Sequence, residues 1–124
     1  MAVLNRAIQY KNNNNMNEAL RTRIDEHCQM VKCGVKPLSL LTYQARYHEE
    51  VINIIKDYDL YYSSEPNGKG WLTIYIYKNK AIGFLIPELP KTPKKPIEHA
   101  LVGLFLGYGI DSICEFIFKK YNLF

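Results

Sequence analysis

Long apolar runs are missing from this sequence, and with them goes the usual signature of a membrane span. The longest stretch, Ala100 to Ile110, holds three glycines and falls well short of the ~20 residues a spanning helix needs. Glu98 and His99 flank it on one side and Asp111 and Glu115 on the other, so it reads as a buried helix pair with no membrane partner. Cysteine is scarce: Cys28, Cys33 and Cys114 make an odd set of three. In a chain without a signal peptide that argues against a disulfide framework and fits a reducing, cytoplasmic location. Charge of one sign is also modest. Sixteen basic against twelve acidic residues leave a net charge of +4, which biases encounters toward anionic surfaces without naming one, and dedicated nucleic-acid domains are more lopsided.

Catalytic and metal-site patterns are equally thin. Cys28 and Cys33 stand five residues apart, wider than the two-to-four-residue gap of zinc knuckles. His27 and Cys28 are adjacent, so on a helix they point about 100° apart. A thiol nucleophile would need Cys28 to meet His48 or His99 from another helix; otherwise Cys28 is a small core hydrophobe. Glu49, Glu50, Asp57 and Asp59 are scattered over what read as solvated faces and loops, giving no paired general acid and base. Gly68 and Gly70 precede a strand pattern instead of opening a helix, so neither a phosphate loop nor a dinucleotide fingerprint is present. No cofactor is implied.

What is present is enough for one domain: 124 residues, 48% of them hydrophobic, suffice for a single core. Residues 1–15 carry some apolar side chains but end in the run Asn12 to Asn15, and read as a loosely docked arm ahead of a domain spanning 16–124. Asn15 and Glu18 resemble a capping box. Leu20, Ile24, Cys28 and Val31 then make an apolar stripe, so a helix is expected over about 16–33, stopped by Gly34. Ser39 is positioned to cap a second helix whose apolar positions Leu40, Tyr43, Tyr47, Val51, Ile54 and Tyr58 step by three or four. The turn formers between Asp57 and Gly70 predict an exposed loop. Trp71 to Tyr77 alternates as a strand, with Ile74 and Ile76 on one face and Tyr75 and Tyr77 on the other. A turn at Asn79-Lys80 would return the chain as a partner strand over 81–86. Pro87, Pro90, Pro93 and Pro96 recur every three residues, the period of a polyproline II spacer, which with Lys91, Lys94 and Lys95 could also dock in an aromatic groove. Two short helices, about 97–108 and 111–121, close the chain. The expected fold is α+β: about four helices packed with one antiparallel β-hairpin, which either rests on the helices or pairs with a second copy through its edge. A homodimer is therefore a candidate state.

Two compositional features bear on partners. Ten tyrosines intersperse the basic residues Arg21, Arg23, Lys32, Lys36, Lys91, Lys94 and Lys95, and Tyr75 and Tyr77 are expected to project from the hairpin. Aromatic faces beside basic side chains hold single-stranded nucleic acid. The same residues serve protein interfaces, since tyrosine offers large contact area at low entropic cost.

Two segments carry a family resemblance. The first joins His27-Cys28 to the turn Gly34-Val35-Lys36-Pro37-Leu38-Ser39-Leu40; the second is Gly103-Leu104-Phe105-Leu106-Gly107-Tyr108, continued by Asp111, Ile113, Phe116 and Ile117. In order and register they resemble the bacterial domain-of-unknown-function family numbered 3793. That family has a His-Cys pair, a Gly-x-Lys turn and a late Gly-x-Phe-Leu-Gly-Tyr run preceded by His-Glu. Here Ala100-Leu101 stand at the His-Glu positions, with His99 displaced by one residue, and the chain resembles a shortened form. The resemblance implies a fold and no activity. Together these features single out His27, Cys28, Gly34, Lys36, Tyr75, Tyr77 and Tyr108 as candidate binding residues. The leading expectation is a non-catalytic protein-binding module, of the kind that serves as a small regulator or an inhibitor carried by a mobile element. The alternatives are a small thiol-dependent or redox enzyme using His27 and Cys28, and a single-stranded nucleic-acid binder.

Overall fold

The computed structural model describes residues 16–123; the arm expected over 1–15 and its Asn15 cap lie outside them. The first helix, α1 (Glu18–Lys32), is opened by Asn17, whose Oδ1 accepts from Leu20 N at 2.7 Å, and Glu18 adds an acidic side chain to its first turn. Gly34 ends it at φ +79°, with Gly34 N donating to Val31 O and Val35 N to Met30 O, a left-handed stop that satisfies the last carbonyls.

The next segment departs from the sequence reading. Leu38 to Gln44 forms a strand, β1, and the helix expected to begin at Ser39 begins only at His48, as α2 (His48–Asp57), after a 3-10 turn over Ala45–Tyr47. The expected exposed loop contains a second strand, β2 (Tyr61–Pro66), and the alternating run is a third, β3 (Trp71–Tyr77). The order is β1-β3-β2 with both pairings antiparallel. Leu38 faces Tyr77 and Leu41 faces Ile74 on one side of β3, while Tyr61 faces Tyr77 and Pro66 faces Leu72 on the other. The hairpin thus exists, but its partner strand precedes β3, and its turn is made by Asn67 to Gly70, where Gly68 and Gly70 take positive φ.

The partner strand expected over 81–86 is instead a short helix, α3 (Lys80–Leu85). Asn79, expected in a hairpin turn, caps it, its Oδ1 accepting from Ala81 N at 2.9 Å. The proline segment is not a continuous polyproline spacer. Pro87 lies in a 3-10 turn over Ile86–Glu88, and Pro96 is the first residue of α4 (Pro96–Phe105), where a missing N–H costs nothing. The last helix, α5 (Ile110–Tyr121), matches its expected span closely. The architecture among the described residues is α+β, with five α-helices and a three-stranded antiparallel sheet.

Helices cover both faces of this sheet. On one, α1 and α2 bring Ile24, Cys28, Val31, Val51, Ile54 and Ile55 against Leu41, Tyr43, Ile74 and Ile76, forming the main core. On the other, Leu38, Tyr75 and Tyr77 pack with Ile82, Ile86, Leu89, Phe105 and Leu106 in a smaller one. No helix among the described residues is long and apolar enough to cross a membrane.

Candidate functional site

His27 lies on α1 and Ser39 on β1, and sheet formation brings them together. Ser39 Oγ is 3.0 Å from His27 Nδ1, and Lys36 Nζ is 3.1 Å from the same nitrogen. Burial, then the Lys36 and Arg23 charges, hold the imidazole pKa below its ordinary value, and burial likewise lowers that of Lys36. A neutral ring in this position carries its proton on Nε2 and accepts at Nδ1 from the ammonium. Serine and imidazole at this separation are spaced as a nucleophile and base would be. Yet Ser39 is fully buried, so no substrate carbonyl can approach its oxygen. The cluster instead satisfies a buried hydroxyl and ties α1 to β1.

Lys36 also makes the junction with the C-terminal helices. A Cβ built on Gly107, whose φ is +83°, would overlap Lys36 Cβ. The turn after α1 and the glycine turn between α4 and α5, the two segments that carry the family resemblance, therefore meet in space. Tyr108, exposed beside Gly107, lines a cleft of about 430 Å³ under α4 and α5 together with His99, Leu106 and Phe116.

Cys28 is fully buried in the main core. His48 and His99, the two bases considered for it, have other partners. The Tyr43 hydroxyl and His48 Nδ1 share a hydrogen bond of 2.6 Å, with burial raising the phenol to about 12 so that it keeps its proton. The His99 ring packs against Phe116 and Tyr121, at 5.2 and 5.6 Å between centroids. Its Nε2 and the Tyr121 hydroxyl are buried without a hydrogen-bond partner among the described residues.

Tyr75 and Tyr77 lie on the face of β3 opposite Ile74 and Ile76, as the alternation predicted, but they are buried at 9% and 8% exposure under the second helical layer, not projecting. Tyr77 packs against Gly83, where a Cβ would come within 2.7 Å of its hydroxyl. Tyr75 OH donates to Glu65 at 2.8 Å, and Lys91 bonds the other carboxylate oxygen at 2.6 Å. These two bonds hold the Glu65 pKa below the usual carboxylate range, and they anchor the segment before α4 to the edge strand β2. With Thr42, Asn67 and Thr73 this polar group lines a second cleft of about 560 Å³ on the sheet. Sequence reading missed it because β2 was taken for a loop.

The most conspicuous surface lies on α4 and α5. Ile97, Leu101 and Leu104 follow one stripe of α4, and Ile110, Cys114 and Phe118 one stripe of α5; all six are exposed. Neither stripe contains a charged residue. Among the described residues no three His, Cys, Asp or Glu side chains are grouped to hold a metal ion. The fold and site therefore define an α+β protein with an apolar helix-pair surface. No family model and no curated protein matches the chain.

Proposed function

We propose that this protein is a non-catalytic binding module that works by docking protein on the outer face of α4 and α5, in the manner of a small regulator or inhibitor. One observation carries the reading: large apolar side chains stand in solvent along both helices, with Ile97 at 71% and Ile110 at 60% exposure. Contiguous apolar surface of this kind marks an interaction site. The other two readings draw less support. Cys28 and Ser39 are fully buried, which leaves the thiol and the hydroxyl beyond reach of a substrate. Tyr75 and Tyr77 are occupied in the second core and offer no stacking platform. The relationship to family 3793 remains part of the proposal, supported by the meeting of its two segments at Lys36 and Gly107.

The test is photo-crosslinking in cells that express the chain. A photoreactive amino acid in place of Leu104, on the apolar face, gives protein adducts on illumination, while one in place of Asn53, exposed on α2, gives few. Equal yields from both positions, or none from either, would rule the reading out.

A further inference from the structure

We propose that the cleft between α4, α5 and Pro93 binds a small apolar molecule that carries one carboxylate. The cleft lies away from the docking face. Ile97, Leu101 and Leu104 follow one stripe of α4, whereas His99, Val102 and Leu106 line the cleft from the opposite side of that helix. The two sites are therefore independent, and either can hold without the other. At about 430 Å³ the cleft falls within the ~300–1,000 Å³ of small-molecule sites. Its walls are apolar, with Val102 and Leu106 on α4 and Ile113 and Phe116 on α5. Two large rings that line it, Tyr108 and Phe116, are left 61% and 51% exposed. An apolar occupant takes both out of water.

The polar end of the cleft selects the head group. His99 is one of its walls, and the same ring carries the buried Nε2 that, like the hydroxyl of the adjoining Tyr121, has no hydrogen-bond partner among the described residues. Buried polar atoms are satisfied in nearly all folded proteins, so this unbonded pair marks a place for a ligand group. Rotation of the imidazole about χ2 turns Nε2 toward an occupant of the cleft it already lines. A carboxylate then accepts from the imidazole N–H with one oxygen and from the phenol O–H with the other. The local charge suits an anion. His99 packs on Phe116 and Tyr121, and Gly103 on Ile113, so α4 and α5 run antiparallel. Lys94, Lys95, Lys119 and Lys120 therefore lie at the end of the pair that holds His99 and Tyr121. The acidic groups at that end are already engaged. Glu98 accepts from the backbone amides of Lys94 and Lys95 at 3.0 Å, and Glu115 pairs with Lys119 at 2.9 Å. Four lysines against two carboxylates leave positive charge in excess there among the described residues. An alcohol head would gain nothing from that excess.

Amide chemical shifts of the full chain, followed as 4-phenylbutyrate is added, test the proposal. Saturable shifts are expected at Val102, Gly103 and Ser112, with a Kd of about 0.1–1 mM for a ligand of this size. The uncharged 4-phenylbutan-1-ol should bind roughly tenfold more weakly. His99→Phe keeps a ring against Phe116 and Tyr121 but removes both nitrogens, and should weaken the acid roughly fivefold and the alcohol less. Ser112→Trp, on an exposed wall of the cleft, should fill it and abolish binding of both. Four outcomes overturn the proposal: no saturable shift by about 5 mM, beyond the affinity such a pocket supplies; acid and alcohol bound equally; an acid affinity unchanged in His99→Phe; or shifts centred on Leu101 and Ile110, which would mean adsorption to the outer face. The comparison of acid with alcohol uses the unaltered chain, so it decides even where a variant fails to fold. Crosslinking from position 104 is unaffected by any of these results.

Discussion

A single methyl group at position 107 would meet two obstacles. Gly107 has φ +83°, a conformation that costs an L-residue roughly 1–2 kcal/mol, and its α-carbon faces Lys36 so closely that a Cβ would overlap the lysine Cβ. Gly34 offers the matched comparison, since its φ is +79° but nothing lies within 4 Å of the position a Cβ would take. Gly34→Ala should therefore lose about 1 kcal/mol through backbone strain alone, and Gly107→Ala about 2–3 kcal/mol once the displaced Lys36 is included. Urea denaturation compares them, and equal losses would mean that the two turns do not press on each other. Gly34 was legible in the sequence as a helix stop, Gly107 as a member of the glycine-spaced late run, and so was the turn that presents Lys36. Their meeting was not, because contact between residues about seventy positions apart is set by the packing of α4 on the sheet. Ser39 was hidden differently: its hydroxyl suits a helix cap as well as it suits a buried bond to His27, and only the strand's pairing decides between them.

The element most at odds with its sequence is β1. Leu40, Tyr43 and Tyr47 step at helical spacing, but a strand covered on both faces loses the polar alternation that would reveal it, and short apolar runs are then ambiguous between the two states. The same cover explains Tyr75 and Tyr77, whose face the alternation gave correctly and whose burial it could not, since α3 and α4 had no visible reason to fold over them. In β2 the serines and proline of Ser63, Ser64 and Pro66 imitate a loop, although an edge strand tolerates them. Where a single periodic face suffices, as in α1 and α5, the sequence reading and the structure agree to within a few residues. The strand assignment has a direct consequence for two neighbouring leucines. Leu41 is 2% exposed in the main core, whereas Leu40 is 40% exposed on the other face of the sheet. Leu41→Ala should cost about 2–5 kcal/mol, and Leu40→Ala less than ~1.5 kcal/mol. A helix over this segment would put Leu40 in the apolar stripe and reverse the order, and the midpoints of urea unfolding distinguish the cases.

At the scale of the whole molecule, burial is divided unevenly. The face of the sheet under α1 and α2 holds most of the fully buried side chains, whereas α4 contains no buried residue and α5 only Ile113. Local opening free energy follows buried apolar contact, so the C-terminal helix pair should open well below the global unfolding free energy while β3 opens only with the whole fold. Amide hydrogen exchange measures both. Leu101 to Leu104 should exchange at least a hundredfold faster than Ile74 and Ile76. Equal exchange in the two segments would mean that the helix pair is held as firmly as the central strand, despite having Ile113 as its one buried side chain among the described residues.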